Sequence, residues 1–119
     1  MSKILVHATH AKDDPERAIL PFVFANVAAT ADQETVVLLT LEGVWLATKG
    51  YADNISKAGF PSLLEAMRSF VANGGQIWAC GTCTKPRGIT EADLVEGARI
   101  ATAANAIEFL ASGAASLSF

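Results

Sequence analysis

A chain of 119 residues with a formal net charge of −3 is sized for a single domain spanning 1–119, whose one core can bury most of its apolar surface without staples. Charged residues make up 18%, with no cluster of Lys and Arg, which excludes the electrostatic footprint of a nucleic-acid binder and a basic helix lying on an anionic membrane. Hydrophobic residues reach 51% and the mean hydropathy is +0.34, both high for a small domain. Arg99 and Glu108 break the longest apolar region, Ala98–Leu117, so the excess is expected to cover a subunit interface rather than to span a membrane.

The first expected strand is Lys3–Thr9. Its apolar run stops at His7, too early for a signal-peptide core, and a cytoplasmic location is expected. A helix follows from Asp13-Asp14-Pro15-Glu16 to about Ala29. Asp13 and Glu16 have capping-box spacing, and Pro21 should kink the helix. Glu34–Leu41 is a continuous apolar run, the pattern of a parallel strand covered on both faces. Leu41–Phe60 is too long for a structureless connection and is read as a short helix plus loop at the strand ends.

The helix at Pro61–Asn73 puts Leu63, Leu64, Met67, Phe70 and Val71 on one face and stops at Gly74. Gln76–Cys80 is the third strand. A last helix is expected from Thr90 to about Ser112, with Thr90 and Asp93 at cap spacing and a broad apolar face offered to another subunit. Ala115–Phe119 is the closing strand. This alternation predicts an α/β fold: a three-layer α/β/α sandwich with a mainly parallel sheet of four or five strands.

The residues with most chemistry run from Trp78 to Gly88, Trp-Ala-Cys-Gly-Thr-Cys-Thr-Lys-Pro-Arg-Gly. Cys80 closes a strand, and ligands of open α/β sheets bind beyond the carboxyl ends of strands. Cys83 is three residues on. Gly81 supplies free backbone amides, and Lys85 and Arg87 supply cations, a setting that favours thiolate over thiol. In a reducing compartment, such a pair reads as redox, sulfur or metal chemistry rather than as a staple.

A thioredoxin-type site is disfavoured, because there the pair opens a long helix near the start of the domain. Zinc held by His7, His10, Cys80 and Cys83 is disfavoured as well, since zinc sites usually come from tight knuckles. No metal or cofactor is expected. His10 is a candidate polar neighbour of the cysteines, and Trp45 a candidate wall of their cleft beside a solvated Glu42. No dinucleotide or phosphate-loop fingerprint and no nucleophile elbow is present.

Taken together these residues resemble the DsrE/DsrF-like sulfur-relay family. The likeness rests on Asp-Pro-Glu-Arg-Ala at 14–18, Phe-Ala at 24–25, Leu-Glu-Gly-Val at 41–44, the strand-end Cys80, Arg-Gly-Ile at 87–89 and a closing strand ending in Phe119. The resemblance implies a small α/β/α protein that forms a trimer or hexamer and receives sulfur as a persulfide on one cysteine.

The resemblance implies Cys80 for that role, since the family's cysteine lies seven residues before the Arg of Arg-Gly, here Arg87. Cys83 is extra, either a resolving thiol or incidental. Sulfur donor and acceptor proteins are then the implied partners, and the chain a sulfurtransferase-like sulfur carrier. The alternatives are a small-molecule-binding oligomer, with the cysteines only lining its cleft, and a Cys-x-x-Cys thiol–disulfide oxidoreductase.

Overall fold

The computed structural model describes residues 2–119. Five parallel strands form one sheet in the order β4-β3-β2-β1-β5, with β1 Lys3–Ala8, β2 Glu34–Leu39, β3 Gln76–Cys80, β4 Ala98–Ala101 and β5 Ala115–Ser118. Among the described residues four α-helices accompany it: α1 Pro15–Thr30, α2 Leu63–Ala72, the single turn α3 Gly81–Thr84, and α4 Ala103–Ala111.

Alternation along the strands divides the core in two. Val6, Val37, Leu39, Ile77 and Ala79 face α1 and α2, where Phe22 and Phe70 meet edge to face with ring centroids 6.1 Å apart. Leu5, Val36 and Trp78 face the other way, toward Phe109 of α4. Both faces are therefore covered, the three-layer arrangement expected of a parallel sheet.

Helix α1 begins one residue later than its sequence cap. Asp14 occupies the N-cap and accepts from the Arg17 amide, whereas Asp13 accepts from the Ala11 amide before the helix starts. Pro21 is buried inside the element without ending it.

The expected helix Thr90–Ser112 does not form as one piece. Glu91–Asp93 is a 3-10 turn with a complete Thr90–Asp93 capping box, Ala98–Ala101 is strand β4, and only Ala103–Ala111 is helical. The physical reason is pairing. Ala98, Arg99, Ile100 and Ala101 lie in register with Ile77, Trp78, Ala79 and Cys80, so the backbone hydrogen bonds that a helix would satisfy internally go to β3. Gly97, at φ 85°, makes the turn into the strand, and a Cβ there would strike Val71. Thr102 and Asn105 then cap α4 reciprocally.

The long segment after β2 holds two 3-10 helices, Leu41–Ala47 and Ala52–Asn54. It is tied to the segment before β4. The Val95 amide donates to the Ala47 carbonyl, and the Lys49 amide to that of Asp93. Among the described residues no helix is long and apolar enough to cross a membrane.

Candidate functional site

Strand β3 delivers Cys80 to the carboxyl edge of the sheet, opposite Ala101 of β4. The chain then turns directly into α3. Cys80 is its N-cap residue, extended at φ −63° and ψ 122°, and Gly81, Thr82 and Cys83 are the first three helical positions. Cys80 makes no side-chain cap bond, and the two cysteines stand three residues apart across the first turn of α3. Both thiols are free and half-buried. Cys83 sits inside a helical turn.

Cys83 is gripped from two sides. Its Sγ accepts the Leu41 amide hydrogen at 3.1 Å. Its carbonyl accepts from Arg87 Nη1 at 3.0 Å, while Arg87 Nη2 reaches Glu42 Oε1, also at 3.0 Å. The turn after β2 thus clasps the Cys-x-x-Cys turn through adjacent residues, Leu41 on the sulfur and Glu42 through Arg87. Neither contact was legible, because each joins positions more than forty residues apart. Thr84, fully buried, closes α3 by donating to the Gly81 carbonyl, and Gly88 at φ 70° ends the cationic stretch.

The remaining candidates fall in three places. Gly81 starts α3 against Ile100 and the Ala101 carbonyl, and a Cβ there would just touch both. Lys85 is exposed. Trp45 stacks on Tyr51 with centroids 5.9 Å apart and lines a cleft of about 350 Å³ with Arg87, Gly88 and Ile89, so the structure joins Trp45 to the Arg87 side of the site.

His10 is engaged elsewhere. Its Nδ1 lies 2.6 Å from Asp13 Oδ2 at the entry to α1. Hydrogen bonds from the Ala11 amide and from His10 hold the Asp13 carboxyl below the usual carboxylate range. His7 Nε2 lies 2.7 Å from Thr40 Oγ1, next to Leu41, and burial pushes the His7 imidazole below 6.5. Among the described residues no three His, Cys, Asp or Glu side chains gather as metal ligands.

The arrangement is a pair of thiols at a sheet edge, with one sulfur facing a backbone donor and a cation fixed beside the turn. Such a site suits sulfur nucleophiles. Solved structures share its scaffold. The ychN protein of E. coli superposes over the whole of both chains with a TM-score of 0.81 at 22% identity. The protein of unknown function MTH1491 from Methanobacterium thermoautotrophicum does so with a TM-score of 0.75 at 16% identity.

Among curated proteins, the uncharacterized MK0008 of Methanopyrus kandleri is 34% identical over 100 residues, covering 83% of this chain and 78% of that one. The uncharacterized MJ0760 of Methanocaldococcus jannaschii is 29% identical over 110 residues, and this chain spans only 40% of its length. The uncharacterized MJ0989 of the same organism is 35% identical over 108 residues, 91% of either chain. The family model described as DsrE/DsrF-like matches residues 2–119, and the chain belongs to the DsrE/DsrF-like family.

Proposed function

We propose that this chain is a sulfur carrier that receives and passes on a sulfane sulfur at Cys80. The observation that carries the reading is the placement of Cys80 where β3 ends and α3 begins, half-buried at the carboxyl edge of a parallel sheet. The Cys80 thiolate attacks the outer sulfur of a donor persulfide. A new S–S bond forms on Cys80, the donor S–S bond breaks, and the donor leaves as a thiolate. An acceptor thiolate then attacks that outer sulfur, and Cys80 leaves in turn. No net oxidant is consumed. Lys85, exposed beside the turn, offers a cation to the negative persulfide.

The partners implied are a donor protein and an acceptor protein, both bearing cysteines, and further copies of the chain in a trimer or hexamer. The reading assigns the work to the cytoplasm, where thiols stay reduced. Mass spectrometry after exposure to a persulfide donor tests it. The expected result is a gain of one sulfur atom on the peptide containing Cys80, lost in Cys80→Ser and kept in Cys83→Ser. Sulfur uptake undiminished by Cys80→Ser overturns it. The cleft beside Trp45 and Arg87 would then be treated as an ordinary ligand pocket.

A further inference from the structure

Leu41 has a backbone conformation that its side chain does not favour. Its φ is 53°, in the left-handed region that costs an L-residue free energy, and its side chain is 56% exposed, so core packing does not compel the choice. What the conformation achieves is the aim of its amide at Cys83 Sγ. The neighbouring residues dock the same turn, Glu42 on Arg87 and Gly43 by donating to the Thr9 carbonyl. Strain of this kind persists only where surroundings hold it, and here the group that holds the Leu41 amide itself is a thiol that can change its chemical state.

We infer that Cys80 and Cys83 form a reversible disulfide whose formation releases the Leu41 amide, so that Leu41 is held in its left-handed conformation only while the pair is reduced. The inference concerns regulation of the same site and rests on the reactive-cysteine reading, though not on sulfur transfer. Cys80 and Cys83 are three residues apart across the first turn of α3, a spacing at which backbone positions are neighbours and a side-chain rotation can join the sulfurs. A low-molecular-weight disulfide is the oxidant. One cysteine thiolate attacks it and expels one thiolate, and the second cysteine then attacks the mixed disulfide and expels the other. Bonding to the Cys80 sulfur turns Cys83 Sγ away from its place against Leu41, so the Leu41 amide loses its partner and φ is free to relax.

The test equilibrates the full chain in glutathione redox buffers without any sulfur donor. Alkylation and mass spectrometry count the disulfide, and amide hydrogen exchange at Leu41 and Gly43 reads the turn. The expected result is one intramolecular disulfide with faster exchange at Leu41 in the oxidised form. Leu41→Asn keeps the amide and tolerates the left-handed region. It should lower the equilibrium constant for disulfide formation by a factor of about 5, because it relieves strain only in the docked, reduced state. Absence of the disulfide overturns the inference. So does a disulfide that leaves Leu41 exchange and the Leu41→Asn equilibrium unchanged. Failure of Cys80 to take up sulfur would sink the carrier reading and leave these measurements untouched.

Discussion

Arg87 holds Cys83 by its backbone, donating from Nη1 to the Cys83 carbonyl while Nη2 engages Glu42. The two contacts differ in worth. Glu42 is half exposed, and an exposed ion pair contributes about 0–1 kcal/mol. The carbonyl contact is better sheltered and fixes the end of α3, at about 1 kcal/mol. Arg87→Ala should therefore cost about 1–2 kcal/mol in urea unfolding, and Glu42→Gln no more than about 0.5 kcal/mol. Arg87→Lys keeps the charge but cannot span both acceptors, so it should resemble the Ala variant more than the parent. Equal stability of Arg87→Lys and the parent would show that charge alone matters here.

Gly43 allows the clasp to form. A Cβ at this position would lie 2.5 Å from the Ala8 carbonyl oxygen, against backbone that cannot swing away. Gly43→Ala should destabilise the fold by about 1–3 kcal/mol and move the turn that carries Leu41 and Glu42. The same substitution at Gly50, where a Cβ meets nothing within 4 Å, controls for the loss of glycine itself, although its φ of 81° still adds strain. A Gly43→Ala protein as stable as the parent would refute the close approach.

Four of the five strands were legible: β1, β2 and β3 carry apolar runs with β-branched residues, and β5 lies in the short stretch Ala115–Phe119 after Gly113. Strand β4 was not. Ala98-Arg99-Ile100-Ala101 suits a helix as well as a strand, and the choice is made by β3 alongside it. The corrective signals were local: Gly97 inside the supposed helix, and Thr102 three residues before Asn105. Cys80 could be placed at a strand end from sequence because β3 is a plain strand stopped by Gly81. The partners of Cys83 could not, since periodicity carries no information about contacts between Leu41 or Glu42 and a turn so distant in sequence. His10 turns to Asp13 instead of the cysteines, a pairing hidden in the sequence because the Asp13–Glu16 spacing also fits a helix cap.

His7 should impose a pH dependence on stability. Burial lowers its folded-state value below 6.5, so the unfolded chain binds a proton at a pH where the folded chain still refuses it. Stability therefore rises with pH through that window and is lost as pH falls from about 6.5 toward the folded value. Asp13, Asp14 and Asp93 are all held below 3.8, so their contribution is present above that pH and disappears only in more acid solution. Denaturant midpoints measured between about pH 5 and 7 should fall with acidity in the parent and flatten in His7→Gln. An unchanged slope in the variant would assign the effect elsewhere.

The assembly expected from composition now has a better-defined surface. The broad apolar face that pointed to the last helix loses most of its substance, because Leu94 and Ala101 are buried within the chain itself. Another patch is continuous. Leu117 pairs with Val6, whose side chain faces α1, so Leu117 lies on the α1 side of the sheet at its β5 edge. Phe119 follows two residues later and meets Phe24 of α1 edge to face, with centroids 5.3 Å apart. Val27, one turn further along α1, is 64% exposed, and Phe24 and Leu117 are each nearly half exposed.

Strand β5 adds an exposed sheet edge, a surface that proteins usually cover. Phe24→Glu combined with Val27→Glu should therefore reduce the mass seen by light scattering at micromolar concentration to that of a smaller species. Ile107→Glu on α4, equally exposed but on the opposite face, should leave the mass unchanged. The reverse pattern would return the interface to α4. A monomeric parent would remove the need for either surface and leave the apolar excess to the core alone.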